Sequence, residues 1–198
     1  MNEVQTKEKI LKTCKDLIQT KGYHSLTINE IAKLIETSPS NIYHHFGNKE
    51  NLVKETIIKY QEYFSQILTQ IEQEQQTLRG RLEELIKSYA ELLEPDNQKI
   101  CLCITLIIEI NTLPASIIKE LNNFIDLQVD WITKIFQQEN SISNSEAAMI
   151  VSALEGFIAI ARLKGGSQYF KSLAYSLIEN FLIAHQKSSL NDTNPLKT

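Results

Sequence analysis

The sequence predicts an all-α protein. A three-helix N-terminal head precedes a larger C-terminal helical bundle, with about nine helices in total. Three observations predict this. Six Gly and four Pro in 198 residues are too few for a β-sandwich or barrel, which needs a turn roughly every 8–12 residues. Apolar residues recur at helical spacing in one segment after another. No segment alternates as a half-buried strand would.

The first helix runs from about Thr6 to Lys21, with Ile10, Leu11, Cys14, Leu17 and Ile18 on one stripe. Gly22 fits the left-handed position beyond its end. Cys14 lies in the stripe and reads as a small buried hydrophobe. Thr27-Ile28-Asn29-Glu30 is a capping box. The short helix it opens buries Ile28, Ile31, Ala32 and Ile35. It ends before Ser38, because Pro39 disfavours helical geometry at the preceding residue. Ser38 then caps a two-turn helix that starts at Pro39 and stops at Gly47, and Asn48 caps the next.

Two short helices joined by a tight turn after a longer one form a helix-turn-helix layout. Ile42 and Phe46 of the second short helix can pack inward. Ser40, Asn41, Tyr43, His44 and His45 are left outside. These small or planar hydrogen-bonding groups suit bases and phosphates in a major groove. A merely solvated face would be rich in Glu and Lys, and this one has neither.

Long amphipathic helices follow. Asn48 to about Gln76 carries Leu52, Thr56, Tyr60, Phe64, Ile67, Leu68 and Ile71, and fades into a break near Gly80. Leu82, Leu85, Ile86, Tyr89 and Leu92 mark a helix ending at Pro95. Lys99–Asn111 is apolar on nearly every face, which predicts a buried central helix. Pro114 opens a helix with Ile117, Leu121, Phe124, Gln128, Trp131 and Ile135 on one side. Ser143-Asn144-Ser145-Glu146 is a second capping box, and its helix runs to Gly165-Gly166. Ser167 is expected to cap a last helix to about Lys187. The organisation read from this is a helix-turn-helix domain over 1–48, a helical domain over 49–187 and a flexible tail over 188–198.

The net charge of −4 looks unfavourable for contact with a polyanion, but it is unevenly spread. Residues 1–60 carry nine Lys and no Arg against seven acids, a net +2, and the remainder is net −6. Three of the four His (His24, His44, His45) lie in the positive part. Any nucleic-acid contact therefore belongs at the N-terminal end. The apolar stretch around Ile100–Ile110 is about half of a ~20-residue membrane span, so no membrane partner is expected. The N-terminus has no apolar leader segment, which points to the cytoplasm. Three Cys (Cys14, Cys101, Cys103) fit a reducing compartment better than a disulfide framework.

The run Thr27-x-x-x-Ile31-Ala32, then Ser38, then Ile42-Tyr43-His44-His45-Phe46-x-Asn48-Lys49-x-x-Leu52, resembles the TetR family of bacterial transcriptional repressors. The resemblance implies roles residue by residue. Thr27 caps the second helix and can donate to a phosphate. Ser38, Pro39, Ser40 and Asn41 stand at the groove-facing start of the recognition helix. Tyr43, His44 and His45 contact backbone and bases, and Lys49 pairs with a phosphate. Ile31, Ala32, Phe46 and Leu52 hold the head together. Two residues depart from the pattern: Glu36 stands where the family usually has Gly, and Thr37 where it usually has Val. A non-glycine residue at positive φ costs on the order of 1 kcal/mol. With no Arg in the head, bidentate guanine reading by Arg is not available there.

The remainder is similar to one branch of that family, the repressors that answer electrophiles, acrylate and related small compounds. Cys101, Glu109, Pro114, Phe124, Trp131, Leu154-Glu155-Gly156 and Ala161-Arg162 carry this likeness. It implies that Cys101 can sense electrophiles. The competing reading is that Cys101 and Cys103, in the most apolar segment, are plain core. On a helix the two point about 200° apart, so they make no metal site, and no metal or cofactor is expected. No nucleophile–base set or phosphate loop is present, so an enzyme is not expected.

The reading is thus a ligand-responsive repressor that binds a palindromic DNA operator as a homodimer and is released by a small-molecule effector. Phe64, Tyr89, Cys101, Thr105, Ile108, Phe124, Trp131 and Glu155 are expected to line the effector pocket. Ile150, Leu154, Phe157, Ile158, Ala161, Tyr175, Ile178, Phe181 and Leu182 are expected at the dimer face, because the last two helices are apolar on more than one side. The alternatives are a helical oligomerisation or adaptor protein that does not bind DNA, or a thiol-based sensor acting through Cys101.

Overall fold

The computed structural model describes residues 3–94, 99–137 and 142–192, with side chains to 184. Every regular element among them is helical, as the period-3.6 stripes predict.

Helix α1 (Glu3–Ser25) is interrupted at Gly22, whose φ of 77° and ψ of −177° lie outside helical geometry. Two facts require glycine there. The backbone is at positive φ, and a Cβ would sit 1.9 Å from Oε1 of Glu109. Helix α2 (Ile28–Leu34) is capped by Thr27, whose hydroxyl accepts from the Glu30 amide at 3.2 Å. The expected capping box is filled from that side; the Glu30 carboxylate accepts from the Lys21 ammonium. Helix α3 (Pro39–Phe46) has the predicted bounds, with Ser38 as N-cap and Gly47 beyond its end. Asn48 Oδ1 accepts from the Asn51 amide at 2.8 Å and so starts α4 (Lys49–Glu74).

Helix α5 (Leu78–Ala90) begins earlier than expected. The Thr77 hydroxyl accepts from the Gly80 amide, so Gly80 lies in the first turn and the break falls before it. A side-chain cap outweighs the local helix penalty of one glycine. The expected boundary at Pro95 lies outside the described residues.

The single buried helix expected over Lys99–Asn111 is not found. Helix α6 (Leu102–Ile107) is short, and a 3₁₀ turn covers Ile110–Thr112. Ile108 is 76% exposed and Ile110 is exposed too. Between them Glu109 leaves helical geometry (φ −96°, ψ 12°), and its carboxylate accepts the Tyr23 and His24 amides at the end of α1. That capping role competes with continuing the helix.

Helix α7 (Ala115–Phe136) follows Pro114 and buries the whole predicted face. Helix α8 (Asn144–Lys164) starts with both halves of the Ser143/Glu146 capping box. Helix α9 (Gly166–Asp192) begins one residue before Ser167, which is buried inside the first turn and does not cap it. It runs five residues past Lys187. The rest of the expected tail, 193–198, lies outside the described residues. No described helix is long and apolar enough to cross a membrane.

The described residues fall into two compact units. One holds those up to Gln66 together with Lys99–Asp126; the other holds the rest. Ile10, Ile18, Ile31, Ile42, Leu52 and Phe124 are core residues of the first. Leu82, Ile132, Ile150, Leu154 and Phe170 are core residues of the second.

Burial corrects the expected dimer face. Ile150, Leu154, Ile158, Ala161 and Ile178 are at most 3% exposed within the single chain and belong to its own core. Phe157, Tyr175, Phe181 and Leu182 keep part of their surface. The outward side of α8 is a different stripe: Met149, Gly156, Ile160 and Leu163. The apolar excess that the sequence shows on α8 is real, but its larger half is consumed by intrachain packing, chiefly with α9.

Candidate nucleic-acid interface

The α2–α3 turn fixes how the outer face of α3 is presented. The Thr37 amide donates to the Ala32 carbonyl at 2.9 Å, which closes the end of α2. Glu36, inside that closure, has φ 57°; it is the one non-glycine residue at positive φ among those described. The left-handed turn is therefore kept with glutamate in the place that suits glycine. The Ser38 hydroxyl accepts from the Asn41 amide at 3.2 Å. Thr37, the other departure, has a job: its Oγ1 accepts from Asn41 Nδ2 at 3.0 Å and holds that carboxamide.

Ile42 and Phe46 are buried beneath α3, as predicted. Ser38, Ser40, Tyr43 and His44 are exposed, while Pro39, Asn41 and His45 are half-exposed. All of these side chains except that of Pro39 carry hydrogen-bonding groups. Thr27 is exposed at the start of α2. Lys49 is held differently from its expected role. Its Nζ lies 4.3 Å from the centroid of the Tyr23 ring, a cation–π contact. Burial lowers its pKa, with Cys14 and Glu109 acting in the opposite sense. Its charge is thus anchored beside α1.

Residues 10–56, which contain this whole arrangement, match the bacterial regulatory proteins of the tetR family. The head thus carries the N-terminal domain of the tetR family. A stretch of 51 residues, 26% of the chain, is 47% identical to the HTH-type transcriptional regulator QacR of Staphylococcus aureus and covers 27% of it. Another of 57 residues, 29% of the chain, is 35% identical to the HTH-type transcriptional regulator UidR of Escherichia coli and covers 29% of it. The chain thus matches less than a third of the length of these relatives. A TetR transcriptional regulator from Legionella pneumophila is similar over 91% of this chain and 99% of its own, with a TM-score of 0.82 and 24% identity. A tetR-family regulator from Agrobacterium tumefaciens is similar over 90% and 98%, with a TM-score of 0.84 and 21% identity. At these identities the likeness concerns the fold, and it extends the family's fold past the head.

Beyond the head, the eight expected effector residues divide between the two units. In the first unit, Phe64 and Phe124 meet at 5.4 Å between ring centroids, and Tyr60 reaches the same Phe124 ring. The Tyr60 hydroxyl also lies 3.9 Å from Cys101 Sγ. Thr105 Oγ1 donates to the Cys101 carbonyl, and Ile108 points outward. In the second unit, the Tyr89 hydroxyl donates to Gln128 and stands 3.4 Å from Glu155 Oε1. Gln128 and Glu155 are each 3% exposed. Trp131 Nε1 donates to Glu72 at 2.9 Å, a carboxylate it shares with Lys134. Tyr60 and Gln128 were missed by sequence reasoning, since nothing in one sequence distinguishes a core tyrosine or glutamine that meets a predicted partner from one that does not.

The cysteines differ sharply. All three are buried and free. Burial pushes the Cys14 thiol up to about 12, against small opposing effects of Thr56 and Lys49. At Cys101 burial also acts upward, but hydrogen bonds from the Cys103 side chain, the Ile104 and Cys103 amides and Tyr60 outweigh it. They bring the thiol down to about 7.

Proposed function

We propose that the protein is a ligand-responsive transcriptional repressor of the cytoplasm. Its 1–48 head reads a palindromic operator, and its 49–187 region binds a small-molecule effector and a second copy of the chain. The observation that carries this reading is the polar outer face of α3, set on a turn that hydrogen bonds close on both sides. Ser38, Pro39, Ser40, Asn41, Tyr43 and His44 supply base and phosphate contacts, with His45 and Thr27 at the margins. Dimerisation through the outward stripe of α8 and the half-exposed Phe157, Tyr175, Phe181 and Leu182 would set the two recognition helices about 34–36 Å apart.

Release requires the effector to prefer the non-binding arrangement; a shift from 99:1 to 1:99 takes about 5.5 kcal/mol. The test is a fluorescence titration with genomic DNA fragments selected by the purified protein. Saturable binding that weakens steeply with salt is expected. No salt-dependent binding to any fragment would leave a helical oligomerisation protein as the better reading.

A second reading is favoured by the Tyr60 hydroxyl, 3.9 Å from Cys101 Sγ, one of the hydrogen bonds that lower the pKa of that thiol. A thiolate population near neutral pH is what an electrophile sensor needs. DNA release by an electrophile should then disappear in Cys101→Ser. Release at the wild-type dose refutes direct thiol sensing.

A further inference from the structure

His44 and His45 sit at the end of α3, and the N-terminal turn of α1 brings Glu3 beside them. One ligand atom from each of these three residues lies within 4.8 Å of the other two. The two imidazole rings are 5.6 Å apart and nearly perpendicular, at 78°. The site opens on a cleft of about 590 Å³ between α1, α3 and α4. Glu8, Glu55 and Glu62 also line this cleft. Its two lysines are each bound to a carboxylate, Lys7 to Glu55 at 2.7 Å and Lys59 to Glu62 at 3.1 Å. The cleft therefore attracts cations.

We propose that Glu3, His44 and His45 form a binding site for a divalent transition ion of the zinc class. Two imidazoles and one carboxylate suit zinc, nickel or copper, and poorly suit magnesium or calcium, which take oxygen ligands. Zinc bonds of about 2.0–2.2 Å place tetrahedral ligand atoms roughly 3.4 Å apart, so separations of up to 4.8 Å close by at most about 1.4 Å. Glu3 and His44 are exposed and His45 half-exposed, so side-chain rotation suffices. A three-ligand site leaves the fourth position to water.

The site has a consequence that rests on the proposed function. Its two histidines belong to the face assigned to DNA. A bound ion occupies both imidazoles and ties the end of α3 to α1, so zinc lowers affinity for the operator. The ion and the DNA compete for the same side chains.

The experiment uses the untagged full chain. Calorimetric titration with Zn²⁺ in the absence of DNA is expected to show one ion per chain. Glu3→Gln should weaken binding by at least about tenfold, as loss of a charged ligand does more than loss of a supporting contact. The double variant His44→Gln/His45→Gln should abolish it. Circular dichroism checks that the variants fold, and all three residues are at the surface. Unchanged zinc binding in either variant, or no saturable binding by the wild type, overturns the site.

The second arm measures DNA affinity with and without Zn²⁺. Zinc should weaken DNA binding by the wild type but not by Glu3→Gln, which keeps both histidines. An equal response in the two proteins overturns the competition. A wild type that binds zinc but no DNA under any condition sinks the repressor reading and leaves the site standing.

Discussion

Glu36 is the place where this head departs from ideal turn chemistry, and its energetic cost can be measured. The residue is exposed, at φ 57°. Holding an L-residue in the left-handed region costs roughly 1–2 kcal/mol. Glycine removes that strain but is more flexible when unfolded, which takes back about 0.5–1 kcal/mol. Glu36→Gly should therefore stabilise the protein by about 0.5–1 kcal/mol. For a chain of this size that is a rise in Tm of about 2–3 °C. Glu36→Ala is the control. It removes the carboxylate but keeps the strained φ, so its stability should stay within about 0.5 kcal/mol of wild type. Glu36→Asn should gain most of the benefit, because asparagine visits this region readily without glycine's entropy. Urea unfolding followed by circular dichroism, at one fixed protein concentration, ranks the four proteins. If Glu36→Gly is no more stable than Glu36→Ala, the turn is not strained and the argument fails.

Two further outcomes follow from burial. Cys14 keeps its proton in the folded protein up to about 12, whereas the unfolded thiol ionises near 9.0. Its contribution is thus complete below about 9 and is lost as pH rises toward 12, by up to about 1.4 kcal/mol per pH unit; stability of Cys14→Ala should fall less steeply over that range in alkaline urea titrations. Leu163, 87% exposed on α8, is predicted at the dimer face. Leu163→Glu should give a folded monomer by light scattering, while Ile158→Glu, at a fully buried position, should fail to fold; a dimeric Leu163→Glu places the interface elsewhere.

The head was legible in the sequence because its signals are local. Thr27, Ser38, Pro39, Gly47 and Asn48 each act within four residues, so caps and bounds can be read from spacing alone. The inward face of α3 was legible for the same reason. Three features were not. Glu109 ends α6 through contacts with residues about 86 positions away, and no window of sequence contains both. The face of α8 left outward depends on which side α9 covers, and an apolar helix offers both sides equally. Glu3 joins the histidine pair only because α1 folds back over α3.

The contact between α1 and α6 bears on how an effector signal could reach the head, since both helices lie in the first unit. The segment carrying α6 is fastened to α1 at two levels. At its start, buried Gln19 donates to the Ile100 carbonyl at 2.8 Å, and Lys99 pairs with Asp16 at 2.7 Å. At its end, Glu109 accepts the Tyr23 and His24 amides at 3.1 Å each, and the His24 ring meets the Thr112 hydroxyl at 2.6 Å. A displacement of α6 therefore carries the end of α1, and with it the Lys49 ammonium resting on Tyr23. Hydrogen bonds to a charged group are worth about 1.5–3 kcal/mol, and the exposed His24 amide argues for the lower end. Glu109→Ala should cost about 1.5 kcal/mol of stability. It should also speed hydrogen exchange at Tyr23 and His24, without changing exchange in the body of α3. Gly22→Ala, whose Cβ would collide with the same carboxylate, should produce the same exchange signature. If both variants leave the Tyr23 and His24 amides as protected as in the wild type, Glu109 is not the fastening. The end of α1 would then be held by the His24–Thr112 contact together with those of Gln19 and Asp16.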